Sequence, residues 1–296
     1  ADLKKEHFAE RDIKFICYHY EIDGQHYFDD LGETMDFADF YKAMENGADT
    51  KTSQVSVGEY EEYWTPFLEE GKDILHVCLS SGISGTYNSA NIAKDILEEK
   101  YPERKIYIVD SLCAASGYGL LMDKLADLRD SGLIMDKMAD LRDAGLSIDE
   151  AYTWLMENRN KCHAWFFTSD LTYLVRGGRV SKASGFVGSV LSICPLMRVD
   201  KEGKLMAYQK IRTKRKVMSA IVNQMEVCAE GGLEYNGKCY LSHSACMDDA
   251  KTVAELIEKR FPNLNGKVSI TDIGTTIGSH TGPGTIALFY WGKERM

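Results

Sequence analysis

The chain has 296 residues, of which 44% are hydrophobic and 27% charged, and its formal net charge at pH 7 is −10. These totals describe a globular chain of one large domain or two ordinary ones and exclude a disordered one. The acidic balance argues against a nucleic-acid partner, because a phosphate backbone selects basic surfaces, and no apolar run approaches the roughly 20 residues of a membrane span.

Eight cysteines sit mostly in or beside apolar runs with no CxxC pair, which reads as small buried hydrophobes in a reducing compartment rather than a disulfide framework. Seven histidines show neither HxH nor HxxxH spacing, so the sequence calls for no zinc site and no cofactor. With no N-terminal signal pattern visible, the expected location is the cytoplasm.

Taken in chain order, runs rich in β-branched and aromatic residues predict strands over 14–20, 74–79 and 105–109. Helical periodicity falls between them at 36–45, 58–70 and 88–99, the last with Ile92, Ala93, Ile96 and Leu97 as its apolar stripe. Strands separated by helices imply crossover connections and a parallel sheet. Residues 122–133 (MDKLADLRDSGL) recur as 135–146 (MDKMADLRDAGL) at a shift of 13 residues, which reads as a tandem duplication in an exposed helix. From about residue 162 the rhythm changes. Strands are expected at 163–168, 193–199, 204–210, 238–244, 267–273 and 285–291, with helices at 183–191, 213–230 and 247–261. The Asp200-Lys201-Glu202-Gly203 turn favours an antiparallel hairpin. The fold expected is therefore an α/β domain with a mainly parallel sheet over 1–161, followed by an α+β domain with a mainly antiparallel sheet over 162–296.

The stretch Leu79-Ser80-Ser81-Gly82-Ile83-Ser84-Gly85-Thr86 ends an apolar run and leads into a helix. Gly82-Ile83-Ser84-Gly85-Thr86 nearly fits a nucleophile elbow, with Thr86 standing where the last glycine belongs and His280 as the base a serine hydrolase would need. The same corner also fits an anion anchor, with Ser84 and Thr86 supplying hydroxyls, Gly85 the turn, and the helix its free N–H groups. A plain helix cap is the third reading. Ser56 reads as another cap, Arg176 and Arg179 flank a Gly-Gly turn, and Gly278–Thr285 reads as a glycine-proline loop carrying His280. The run from Lys210 to Lys216 is strongly basic: a solvated turn, or a docking patch for a partner or an anionic membrane surface.

Together these pieces resemble the DegV family of bacterial fatty-acid-binding proteins from end to end. The resemblance is carried by Thr52-Ser53-Gln54, by 80–88, by Val109-Asp110-Ser111, by 174–180 with its Gly177-Gly178-Arg179, by Ile211-Arg212-Thr213 and by 280–284. It implies two domains enclosing one long-chain fatty acid, which is presented to a separate fatty acid kinase for phosphorylation on the way to phospholipid synthesis. It also implies that Thr52 and Ser84 hold the carboxylate with His280 beside them, that Ser53, Gly85 and Thr86 complete that set, and that Arg176, Arg179 and Arg212 face the entrance or the partner. Such a chain is a lipid-binding subunit and not itself an enzyme. Family members open with a strand and a Thr-Asp-Ser turn, whereas this chain opens at Ala1-Asp2-Leu3, so the first strand is expected to be missing. The repeat at 122–146 is extra to the family pattern.

Overall fold

The computed structural model describes residues 1–131, 147–180 and 193–296. The first part runs through α1 (Lys5–Glu10), β1 (His19–Ile22), β2 (Gln25–Phe28), α2 (Phe37–Glu45), β3 (Thr50–Ser53), α3 (Val57–Glu69), β4 (Ile74–Cys78), α4 (Thr86–Lys100), β5 (Ile106–Asp110), α5 (Ser116–Ser131) and α6 (Ile148–Asn158). β4 and β5 pair in parallel from Ile74 opposite Ile106 to Cys78 opposite Asp110, as strands joined through a crossover helix do. Beside them β2, β1 and β3 form an antiparallel sheet in that order.

Two expectations change here, and two others fall partly or wholly outside the described residues. The predicted strand over 14–20 becomes β1 only at His19, where β2 and β3 supply ladder partners on both sides. Phe15, Ile16 and Tyr18 are apolar because they pack on the neighbouring cores, which is what made the stretch read as one strand. α4 starts at Thr86, and its buried face is Ser89, Ala90, Ala93 and Leu97; Ile92 is exposed. Small residues on that face let α4 lie close to α3, whose Tyr60, Trp64 and Leu68 share a core with Ile74, Ile106 and Ile108. Of the repeat, residues through Ser131 continue α5, and the rest lies outside the described residues, as does the helix expected at 183–191.

The second part holds β6 (Cys162–Thr168), α7 (Thr172–Arg176), β7 (Leu196–Val199), β8 (Leu205–Gln209), α8 (Lys214–Cys228), β9 (Cys239–His243), α9 (Met247–Arg260), β10 (Ser269–Asp272), α10 (Thr275–Thr281) and β11 (Thr285–Trp291). Its strands make one six-stranded sheet in the order β10-β9-β11-β6-β7-β8, antiparallel except for the β10–β9 pair. The fold is thus α/β with a parallel pair in the first part and α+β, mainly antiparallel, in the second.

β11 is buried from Thr285 to Tyr290, and its alternation divides the core in two. Ile286, Leu288 and Tyr290 point into a core shared with Val217, Ile221 and Met225 of α8 and with Val253 and Ile257 of α9. Ala287 and Phe289 point to the opposite face, where Ala164, Phe166, Met197, Val199 and Leu120 of α5 pack. Across that face the ladder sets Ala164 opposite Phe289 and Phe166 opposite Ala287, so each large side chain stands beside a small one. This second face is the floor of the site.

Candidate functional site

β3 brings the first polar group to the site. Its residues carry few apolar side chains, and they form a strand because β1 offers a ladder, with Tyr20 opposite Thr52 and His19 opposite Ser53. The chain then passes Gln54 and enters α3 through a capping box, in which the Ser56 hydroxyl accepts the Glu59 N–H and the Glu59 carboxylate accepts the Ser56 N–H.

The corner after β4 brings the second group. Ser84 lies just before α4, with its Oγ accepting the Thr86 N–H at 3.3 Å. Gly85 occupies the cap position, and a Cβ there would stand 2.3 Å from Gln54 Oε1. Gln54 in turn donates through Nε2 to Ser89 Oγ on α4 at 2.8 Å, so it ties the end of β3 to the first turns of α4. Thr86 departs from expectation. It is the first residue of α4 and faces α3, and its buried hydroxyl is bonded to the Tyr60 phenol at 2.8 Å, not offered to a ligand.

His280 supplies the third group, from a helix rather than from the loop expected. α10 has seven residues, five of them small and buried, and the Asp29 carboxylate accepts the N–H groups of Thr275 and Thr276 at its start. That helix aims His280 Nε2 at Thr52 Oγ1, 2.7 Å away. Burial, with Arg179 and Arg176 nearby, pushes the imidazole down to about 4, so it is neutral at pH 7. A Cβ on Gly177 would stand 2.3 Å from His280 Nδ1, so the backbone after α7 closes directly on the ring.

Arg179 follows that turn. Its Nε donates to the Ile83 carbonyl at 3.3 Å and its Nη1 to the Gly177 carbonyl at 2.5 Å, and burial lowers the pKa of the guanidinium. Arg176 is exposed, 3.7 Å from Asp49 and over the Tyr173 ring at 5.3 Å from its centroid. Arg212 is exposed just before α8.

Most of these groups border one cavity of about 370 Å³, within the usual range for a small-molecule site. Thr52, Ser53, Gln54, Ser84, Gly85, Arg179 and His280 line it from the polar side. Leu79, Leu174, Val199, Leu205, Ile277 and the sheet residues Ala164, Phe166, Ala287 and Phe289 supply apolar wall. No Asp or Glu appears among the described lining residues. Thr86, Arg176 and Arg212 are not among them either. Tyr18 and Gln54 are, and sequence reasoning gave neither a role; for Gln54 the signal was its place beside Thr52 and Ser53.

Two chemistries compete for Ser84, and the hydrogen bonds separate them. A serine nucleophile needs an imidazole to take its proton and an acid to orient that imidazole. Here the His280 Nε2 is bonded to Thr52 Oγ1, and burial, then the nearby Arg179 and Arg176, depress its basicity. What remains is a set of hydroxyls, a neutral imidazole and a guanidinium facing an apolar wall.

The sequence profile described as "Uncharacterised protein, DegV family" matches residues 1–293. This chain belongs to the DegV family. A DegV domain-containing protein of Clostridium perfringens is 35% identical over 295 residues, covering 100% of this chain and 96% of its own. A Thermotoga maritima protein whose structure reveals a fatty acid binding function superposes with a TM-score of 0.78 at 25% identity, over 99% of this chain and 96% of its own. The Fak B3 protein of the Streptococcus pneumoniae fatty acid kinase, loaded with linoleic acid, shares the fold at a TM-score of 0.78 and 23% identity, over 94% of this chain and 90% of its own. The family match therefore includes β3, the β4–α4 corner and α10 of this DegV-family chain.

Proposed function

We infer that this chain binds one long-chain fatty acid, its tail on the apolar face of the six-stranded sheet and its carboxylate among Thr52, Ser84 and His280, and presents that acid to a fatty acid kinase. The observation that carries the reading is the cavity, apolar along the sheet and bordered by hydroxyls, a neutral imidazole and Arg179, with no carboxylate among its described lining residues. The fatty-acid-binding relatives of the same fold support it.

The two ends of such a ligand ask for different things. Each buried methylene contributes ~0.8 kcal/mol, so a sixteen-carbon tail offers on the order of 12 kcal/mol before association costs. The head keeps its charge if donors replace its water, and charge-assisted bonds from Thr52, Ser84 and Arg179 would do so. An ionised carboxylate held this way can attack a phosphoryl group brought from outside. The sequence has no phosphate-binding loop of its own, which supports a presenting rather than a phosphorylating role. The exposed basic stretch from Arg212 to Lys216 is assigned to docking, on the kinase or transiently on an anionic membrane surface.

Denaturing mass spectrometry of the purified protein should release about one fatty acid per chain. Ser84→Ala should weaken fatty-acid binding by about 1–3 kcal/mol, the usual cost of an unmatched polar group. Arg212→Glu should slow acyl-phosphate formation with the kinase and leave lipid affinity unchanged. Protein that carries no lipid, takes a fluorophosphonate on Ser84 and turns over an ester would overturn the reading.

A further inference from the structure

Two turns from distant parts of the chain interlock beside the cavity. Ser80, fully buried just past β4, donates its hydroxyl to the Gly203 carbonyl in the β7–β8 turn at 2.8 Å and accepts the Gly82 N–H at 3.1 Å. The approach leaves no room for side chains. A Cβ on Gly203 would stand 2.0 Å from Ser80 Oγ, and one on Gly82 would stand 2.7 Å from the Gly203 carbonyl carbon and oxygen. Gly203 also has φ +75°, a conformation that L residues resist.

Each turn is shaped from its own side. In the β7–β8 turn Asp200 Oδ1 accepts the N–H groups of Glu202 and Lys204 at 3.0 and 2.9 Å. In the other, the Ser80 carbonyl accepts the N–H groups of Ile83 and Ser84 at 3.2 and 3.1 Å. Ser80 thus holds Ser84 with its backbone and Gly203 with its side chain. The residues flanking the β7–β8 turn, Val199 and Leu205, belong to the apolar wall.

We propose that Ser80 is the positioning residue that sets Ser84 against the apolar wall, by clamping the 80–85 loop to the 200–204 turn. Ser80 is not among the described lining residues and is expected to touch no ligand; it acts through Ser84. Its loss leaves the buried Gly203 carbonyl and the part-buried Gly82 N–H without the partner they share, so the loop shifts to find others. A shifted Ser84 loses its bond to the carboxylate while the tail keeps its wall. The inference rests on the fatty-acid reading of the cavity.

The test compares hexadecanoic acid with its methyl ester, which has the same tail and no charge at the head. Wild-type protein should prefer the acid. Ser80→Ala should lower affinity for the acid about tenfold and leave the ester within about twofold, the size of effect expected from one mispositioned polar contact. Asp200→Ala loosens the β7–β8 turn without touching Ser80, and should move the acid-to-ester ratio the same way by a smaller factor; it carries the test if Ser80→Ala does not fold, as judged by thermal melting. Equal losses for acid and ester in the folded variants would overturn the proposal, because Ser80 would then only hold the fold. Unchanged acid affinity would overturn it as well. Failure of the wild-type protein to prefer the acid would sink the fatty-acid reading itself, and the two failures are distinguished by that first measurement.

Discussion

The Thr52–His280 contact depends on a residue that has no side chain. Gly177 lies where a methyl group would press on His280 Nδ1, while the other ring nitrogen is held by Thr52 at 2.7 Å. Gly177→Ala should push the ring off Thr52, destabilise the protein by about 1–3 kcal/mol as an overpacked site does, and weaken binding of the acid. In a Thr52→Val background the same substitution should cost less acid affinity, because the contact it breaks is already gone. Melting curves and acid dissociation constants for the four proteins of that cycle decide it, and strict additivity would show that His280 and Thr52 act independently. Ser84 and His280 stood out in the sequence as a hydroxyl and an imidazole set among glycines, Thr52 entered only through the family resemblance, and the structure brings all three to one cavity. Gln54 and Ser80 gave less away. Their roles come from what they touch 35 and 123 residues along the chain, and no local pattern encodes such a distance.

At the scale of elements, the strands and helices with strong apolar periodicity were the readable ones: β4, β5, β6, β11, α3, α8 and α9 lie close to where the sequence places them. The pieces missed are those whose structure comes from a neighbour. β3, with its Thr-Lys-Thr-Ser sequence, has no apolar alternation and becomes a strand by pairing with β1. α10 has the composition of a turn, and a carboxylate from Asp29, 246 residues from Thr275, satisfies its first N–H groups. The β1–β2 hairpin was there to be read, since Asp23-Gly24 joins Ile22 to Gln25 as a two-residue turn with both φ angles positive. α3 offers an element-scale test, because its capping box follows the Thr52 strand by only three residues. Ser56→Ala should cost about 1 kcal/mol, a fall of roughly 2–4 °C in melting temperature, and leave affinity for the acid unchanged, since Ser56 does not line the cavity. A matching loss of affinity would mean that β3 depends on the helix after it to hold Thr52 in place.

For the whole molecule, the arrangement of the site would make the proposed fatty acid a brace. The apolar floor and His280 come from the second part of the chain, while Thr52 comes from β3 and Ser84 from the β4–α4 corner of the first. A ligand that binds only the folded chain adds RT ln(1 + [L]/Kd) to its stability, about 2.7 kcal/mol at a hundredfold excess over Kd. Stripping the lipid should therefore lower the melting temperature, and adding fatty acid back should restore it. Where the added stability appears is more telling than its size. An acid whose head lies among Thr52, Ser84 and His280 must slow amide hydrogen exchange both in the first turn of α4, after Ser84, and in α10, around His280. A lipid lying along the sheet without engaging the β4–α4 corner would protect α10 and leave the start of α4 as it was. Hydrogen exchange on stripped and reloaded protein separates the two, and protection confined to α10 would remove Ser84 from the head-group site.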